Sequence, residues 1–368
     1  MFSLLFYLHS LRFVVPAGIM IGVAPQYLSM WMAWRLLSAP LPRRVYERGD
    51  ECMYDMYQSL ICFFFETYTG AEVILYGDQI PWDKKENVVF LCNHQSTVDW
   101  LVADLLAIRQ GSLGRIRYIL KDGLKFLPLY GFYFGQHGGI YVRRSGPRDH
   151  YHIIRKLDQL KKNNTPMWLV IFPEGTRYNI DRPESIEKSK AFAEGEGLPV
   201  LQHVLTPRTK ATEASLEAVG DYIDAVYDVT IAYKGVTENP LPRTAAKGMP
   251  DFLASWGQQV HIYCHRYTPE QIPKNEEDRR TWVHKCFVEK DQILSRFYNE
   301  LGGGKFPGVP RQRRLSWLRT TPYLAFWLAT LAPFIFTKLG RAAYWKMWLV
   351  TGFGSVTYMA LLFDKLQA

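Results

Sequence analysis

No charged side chain stands between Arg12 and Arg35. Residues 13–34 are apolar or aromatic apart from Gln26 and Ser29. At 1.5 Å per residue such a run reaches about 33 Å, enough to cross the hydrocarbon core of a bilayer. It exceeds the apolar region of a secretory signal, and no basic residue precedes it before Arg12. Pro16 and Pro25 leave a second option open, two shorter helices dipping into one leaflet. Arg35, Arg43, Arg44 and Arg48 follow, which favours a cytosolic position for the rest of the chain. A second apolar stretch, residues 56–68, is too short to span and is expected at the interface or under the core.

Composition limits what lies beyond. Of 368 residues 48% are apolar and 21% charged, which excludes a disordered chain. A mean hydropathy of −0.14 excludes a polytopic transporter. Five cysteines (52, 62, 92, 264 and 286) with no C-x-x-C pair argue against a disulfide framework or a zinc site and for reduced thiols facing the cytosol. No metal site is expected either, because the pairs His150/His152 and His261/His265 have no acidic or cysteine complement.

Three regions are expected: membrane-anchoring helices over 1–69, an α/β domain over 70–300, and a linker with a hydrophobic hairpin over 301–368. In the middle region, strands are predicted at 88–92, 117–120, 139–142, 167–172, 202–205, 225–233 and 260–263. Helices are predicted at 98–109, 150–162 and 282–298. Strands alternating with helices give an α/β fold, a mixed sheet flanked by helices. Gly302-Gly-Gly-Lys-Phe-Pro breaks the chain, and apolar runs at 315–336 and 344–363 close it. Lys338, Arg341 and Lys346 between them would be carried to the far side by a spanning hairpin, against the positive-inside tendency; a shallow hairpin avoids the conflict.

The chemistry-bearing segment is Cys92-Asn-His-Gln-Ser-Thr-Val-Asp-Trp100. A strand ends at a histidine, and a carboxylate follows five residues later at a helix start. The turn between them folds Asp99 back toward the imidazole of His94, fixing one ring nitrogen and leaving the other as a base. That is two thirds of a catalytic triad, and a substrate hydroxyl can be the missing third. Two blander readings stand beside it: Ser96 and Asp99 merely cap the helix, or Cys92 pairs with His94 as a nucleophile. A second segment, Ile171-Phe-Pro-Glu-Gly-Thr-Arg177, closes a hydrophobic strand with a tight turn that projects Glu174 and Arg177. Arginine there can fork a phosphate, assisted by N–H groups of the glycine turn. Gly138-Gly-Ile-Tyr-Val-Arg-Arg144 ends a third strand in a basic pair, and Lys121 adds a cation.

This ordered set resembles the glycerolipid acyltransferases, the 1-acylglycerol-3-phosphate acyltransferase family. The family's N-H-x-x-x-x-D block matches Asn93, His94 and Asp99. Its second block ends at Arg144, and its F-P-E-G-T-R block matches residues 172–177 without a substitution. The fourth block reads His203-Val-Leu-Thr-Pro207, followed by Arg208, which departs from the short bacterial pattern and is similar to the longer eukaryotic branch. The resemblance implies His94 as general base, Asp99 as its orienter, and Lys121, Arg144, Gly175, Thr176 and Arg177 around the acceptor's phosphate. Glu174 is given a substrate-positioning role. It implies acyl-CoA as co-substrate with no cofactor, lysophosphatidic acid as acceptor, and a lipid bilayer as partner. The endoplasmic reticulum membrane is the expected location, with the mitochondrial outer membrane and nuclear envelope as options. No nucleic acid is expected despite the net charge of +9. The rival readings are another lysophospholipid acceptor, such as lysocardiolipin or lysophosphatidylinositol, and a catalytically silent membrane scaffold.

Overall fold

The structure is a computed structural model that describes residues 2–143, 147–236, 243–299 and 303–363, with side chains from residue 10 onward. The strands are β1 (Glu72–Gly77), β2 (Val88–Cys92), β3 (Ile116–Lys121), β4 (Ile140–Val142), β5 (Trp168–Ile171), β6 (Ala225–Tyr233), β7 (Gln259–Tyr267) and β8 (Arg311–Gln312). The helices are α1 (Phe2–Leu37), α2 (Arg43–Cys62), α3 (Asp99–Gln110), α4 (Tyr130–Gln136), α5 (Pro147–Lys162), α6 (Pro183–Gly195), α7 (Lys210–Val219), α8 (Met249–Ala254), α9 (Glu276–Tyr298), α10 (Thr321–Phe336) and α11 (Lys338–Leu361).

Among the described residues these strands form one mixed sheet in the order β4-β3-β5-β2-β6-β7-β1-β8. From β4 to β6 every neighbouring pair is parallel; β7 runs against β6, and β8 against β1. The central strands read as unbroken apolar runs because helices cover both faces. Alternate residues of β2 divide between two cores. Val88, Phe90 and Cys92 join the layer built by α1, α2 and α3, while Val89 and Leu91 meet Ile153 and Leu157 of α5 and Leu216 of α7.

One predicted strand is absent, and one apolar stretch takes the second of its two expected places. The run at 202–205 is not a strand, since its backbone donors are taken by side chains: Gln202 N and His203 N donate to Asp291 Oδ1, and Leu205 N to Glu174 Oε2. Residues 56–68 lie under the core, as the end of α2 and a single π-helical turn, Phe63–Tyr68. Glu66 in that turn forms a buried ion pair with Arg109 of α3, and Leu315 N donates to the same carboxylate.

The N-terminal run is one helix that continues through Pro16 and Pro25. Ser10–Leu37 is long and apolar enough to cross a membrane. Met20, Val23, Ala24, Tyr27, Leu28 and Trp31 form its packed stripe, while Leu11, Val14, Val15, Ile21 and Leu36 are exposed. Trp31 Nε1 donates to Asp50 of α2, whose other oxygen meets His137 Nδ1 at 2.5 Å. At the other end α10 and α11 meet at a 109° bend.

Helix α3 carries an isolated buried carboxyl. Tyr118 OH donates to Asp104 Oδ1 at 2.9 Å, and Oδ2 has no partner among the described residues. Burial pushes the Asp104 pKa to about 8, against the smaller opposing pull of Tyr118. A folded-state pKa above the unfolded value of about 3.9 means that this group's stability contribution is full at low pH and is lost as pH rises from about 4 to about 8. Asp104→Asn is therefore expected to stabilise the protein near pH 8 by several kcal/mol, on the order of one per pH unit crossed, and to change little near pH 4. Thermal melts of both proteins across that range test this; parallel melting curves at every pH would refute it.

Candidate active site

The parallel half of the sheet brings the sequence motifs to one edge. Leu91 pairs with Ile171, Tyr118 with Val170, and Lys121 with Val142, so the carboxyl ends of β2, β5, β3 and β4 lie side by side. His94 follows β2, the turn at 172–177 follows β5, Lys121 ends β3 and Arg143 follows β4. Open α/β sheets bind ligands along this edge. Neighbouring strands are about 4.8 Å apart, which puts Lys121 about 10 Å from His94 along the edge.

Asn93 releases the chain from the sheet. Its Nδ2 donates to the Ile231 carbonyl at 3.1 Å, and its Oδ1 accepts from the Ile231 N–H at 2.7 Å. The amide thus satisfies the β6 backbone that a continuing β2 would have paired with, and His94 turns out at the strand end. His94 is then gripped through its own backbone. Its N–H donates to Glu174 Oε1 at 2.6 Å, and its carbonyl accepts from Tyr178 N at 2.7 Å.

The imidazole meets Asp99 as the spacing predicted, Nδ1 to Oδ2 at 2.8 Å. Gln95 N and Ser96 N donate to the same oxygen at 2.6 and 2.7 Å, and Tyr233 OH donates to Oδ1 at 2.6 Å. Four donors hold a fully buried carboxylate. With Nδ1–H given to Asp99, Nε2 is the nitrogen with a free lone pair. Among the described residues it makes no hydrogen bond. The ring is 22% exposed and lies 4.6 Å from the Phe172 ring. Tyr233 stays a phenol, because burial raises its pKa well above 10. Cys92 is fully buried and burial pushes its thiol pKa up, so the Cys/His reading has no thiolate to use. Asp99 does not cap α3, because the two backbone N–H groups it accepts from precede the helix, whose N-cap residue Val98 makes no side-chain cap bond.

Glu174 is anchored to backbone. It is buried, and both of its oxygens are taken by backbone N–H groups, those of His94 and Leu205 (2.8 Å). It joins three segments, its own turn, the turn at His94 and the chain at Leu205. Gly175 has φ of 67°, and its N–H closes the turn on the Phe172 carbonyl at 2.9 Å. Thr176 is exposed, and Arg177 is half-buried with no ion pair among the described residues. Lys121 is exposed and is likewise unpaired among the described residues. Arg144 lies outside the described residues; Arg143 beside it contacts Asp122 at 3.6 Å.

The acyltransferase family profile matches residues 72–234, and the acyltransferase C-terminus profile matches 253–327. The chain is 44% identical over 350 residues to the 1-acyl-sn-glycerol-3-phosphate acyltransferase epsilon of Mus musculus, covering 94% of this chain and 95% of that one. The chain belongs to the 1-acylglycerol-3-phosphate acyltransferase family. It is 34% identical over 311 residues to "Probable 1-acyl-sn-glycerol-3-phosphate acyltransferase 5" of Arabidopsis thaliana, covering 82% of this chain and 77% of that one. The crystal structure of the LPA acyltransferase PlsC from Thermotoga maritima shares 17% identity, covers 77% of this chain and 98% of that one, and has a TM-score of 0.39.

Around its dyad this acyltransferase has a layer that the sequence did not disclose. Gln95 Nε2 donates to the Ile231 carbonyl at 2.7 Å, and its Oε1 accepts from Arg243 Nη2 and Tyr298 OH, both at 2.9 Å. The buried Arg243 guanidinium lies over the rings of Tyr178 and Tyr298, at 4.4 and 4.2 Å. One buried cation therefore braces the residue after His94 and the residue after Arg177. No local pattern marks Tyr233 or Arg243, since each acts on a turn more than a hundred residues away.

Proposed function

We propose that this acyltransferase moves a fatty acyl group from acyl-CoA to the sn-2 hydroxyl of 1-acyl-sn-glycerol 3-phosphate. The observation that carries the reading is an imidazole fixed by a buried carboxylate with Nε2 open, on a strand edge that also presents Lys121 and Arg177. In this reading His94 Nε2 takes the proton of the acceptor hydroxyl. The oxygen forms a bond to the thioester carbonyl carbon, and the carbon–sulfur bond breaks. The imidazolium then returns the proton to the leaving CoA thiolate. Asp99 stabilises the imidazolium between these steps, and because the substrate is the nucleophile no acyl-enzyme forms. Lys121 and Arg177, with Arg144, hold the acceptor's phosphate, and that positioning removes part of the entropic barrier. A bilayer that seats α1 keeps the site at the surface from which the acceptor comes, and the endoplasmic reticulum is the location proposed.

The test is acyl transfer by the purified full chain in vesicles, with oleoyl-CoA and a panel of lysophospholipids. Lysophosphatidic acid is expected to give the highest kcat/KM. Lys121→Ala is expected to raise the KM for that acceptor while leaving the KM for oleoyl-CoA within about twofold. Preference for a lysolipid with a larger headgroup would overturn the acceptor assignment and leave the chemistry standing.

A further inference from the structure

We propose that residues 122–128, between β3 and α4, form a wedge that enters the acyl region of a phospholipid bilayer beside the acceptor end of the site. Leu124, Phe126 and Leu127 are 46%, 46% and 47% exposed, three large apolar side chains on a seven-residue segment. The segment starts directly after Lys121, so it borders the edge that carries His94.

The exposure is built in. Lys125 turns inward, where its Nζ pairs with Asp122 Oδ1 at 3.0 Å, so the charge is withdrawn while its apolar neighbours face out. Leu127 N donates to the Leu124 carbonyl and Gly131 N to the Leu127 carbonyl. Leu129 is buried with φ of 66° and ψ of −57°, closed by Tyr130 N donating to the Pro128 carbonyl at 2.8 Å. That is a γ-turn in a region where a residue with a branched side chain is strained, and it persists only because its surroundings fix it. Ser355 Oγ of α11 accepts from Leu129 N at 3.1 Å. A Cβ on Gly131 would stand 2.1 Å from the Lys125 carbonyl oxygen, so the close return of the chain requires glycine there.

The occupant follows from continuity. The helix that clamps this segment, α11, exposes Leu349, Val350 and Phe353, and its Met359, with Phe363 just beyond its end, packs on Tyr141 of β4. Helix α11 also packs against α1, which exposes Leu11, Val14, Val15 and Ile21. Exposed Lys121 beside the wedge is complementary to anionic headgroups. A fixed apolar tip with a cation at its root fits a lipid surface.

Two measurements test the proposal, using the full chain in vesicles of phosphatidylcholine and phosphatidic acid. In the first, a nitroxide is placed at Leu127→Cys on a Cys52→Ser background, since the other four thiols are buried. A control label is placed at Tyr151→Cys on exposed α5. The label at 127 is expected to collide with oxygen more than with a water-soluble nickel chelate, and the control the reverse. Equal nickel accessibility at both positions would overturn the wedge and leave the face to a protein partner. In the second, Leu124→Ser, Phe126→Ser and Leu127→Ser are combined. Turnover of vesicle-borne long-chain lysophosphatidic acid is expected to fall about tenfold, with a short-chain monomeric acceptor in solution unchanged. Loss on both acceptors, or on neither, overturns the proposal. This second arm rests on the proposed acyl transfer and the first does not, so a membrane-buried label in a protein without turnover would refute that reaction and keep the wedge.

Discussion

His94→Ala is expected to lower kcat by about 10²–10⁴-fold without a matching change in the melting temperature or in vesicle association. The physical basis is the asymmetry of the residue. Its backbone is bonded on both sides, N–H to Glu174 and carbonyl to Tyr178 N, and none of those bonds needs the ring. The imidazole gives one hydrogen bond to Asp99 and a face to Phe172 and is otherwise open. Truncation therefore removes the base and leaves its frame. Asp99 keeps the donors from Gln95, Ser96 and Tyr233. Steady-state kinetics with lysophosphatidic acid and oleoyl-CoA, paired with thermal melts, measure both halves. A variant that melts like the parent and still turns over at more than about a tenth of its rate would refute the dyad. A variant that is inactive because it melts tens of degrees lower would show that the ring is part of the fold.

What the sequence disclosed and what it withheld divide along a physical line. The His94–Asp99 contact is local: five residues and a strand-to-helix turn suffice to close it, so it was legible before any fold was known. The central strands were legible for a related reason, since runs such as Val88–Cys92 and Trp168–Ile171 are buried on both faces and read as apolar without interruption. Failures came where a distant side chain decided the matter. Residues 202–205 are predicted as a strand, yet Asp291 and Glu174 take the donors a strand would have used. β8 is two residues long, too short to leave a pattern. Of the two options left by Pro16 and Pro25, the single run is the one found: α1 continues through both, with one face packed on α2 through Trp31 and Tyr57. Tyr233 completes the Asp99 environment from 134 residues away, a pairing fixed by the register of β2 and β6. The local His94–Asp99 pair was thus legible, and the distant groups that hold it were not.

The second large effect is expected at one of those holding groups. Glu174→Gln is expected to lower kcat about 10²-fold while the KM for the acceptor moves little, and to lower the melting temperature by several degrees. The carboxylate accepts from His94 N and from Leu205 N, one on each oxygen, inside a buried setting. Burial pushes its pKa up to about 8 against the smaller downward pull of the two backbone donors, and it is the ionised form that offers an acceptor oxygen to each N–H. An amide of the same shape offers only one acceptor atom. Its NH₂ must face the other backbone N–H, leaving a buried donor unsatisfied at about 1–3 kcal/mol. The strained partner is either His94 itself or the loop at Leu205 that lies against the same turn. Either way the frame that aims Nε2 shifts, and a displacement near 1 Å is enough to cost about 10² in rate. The KM is the discriminating reading. A carboxylate that bound a glycerol hydroxyl of the acceptor would show its loss as a raised acceptor KM at nearly unchanged stability. A carboxylate that ties loops together shows it as lost kcat and lost stability, with the acceptor KM unchanged.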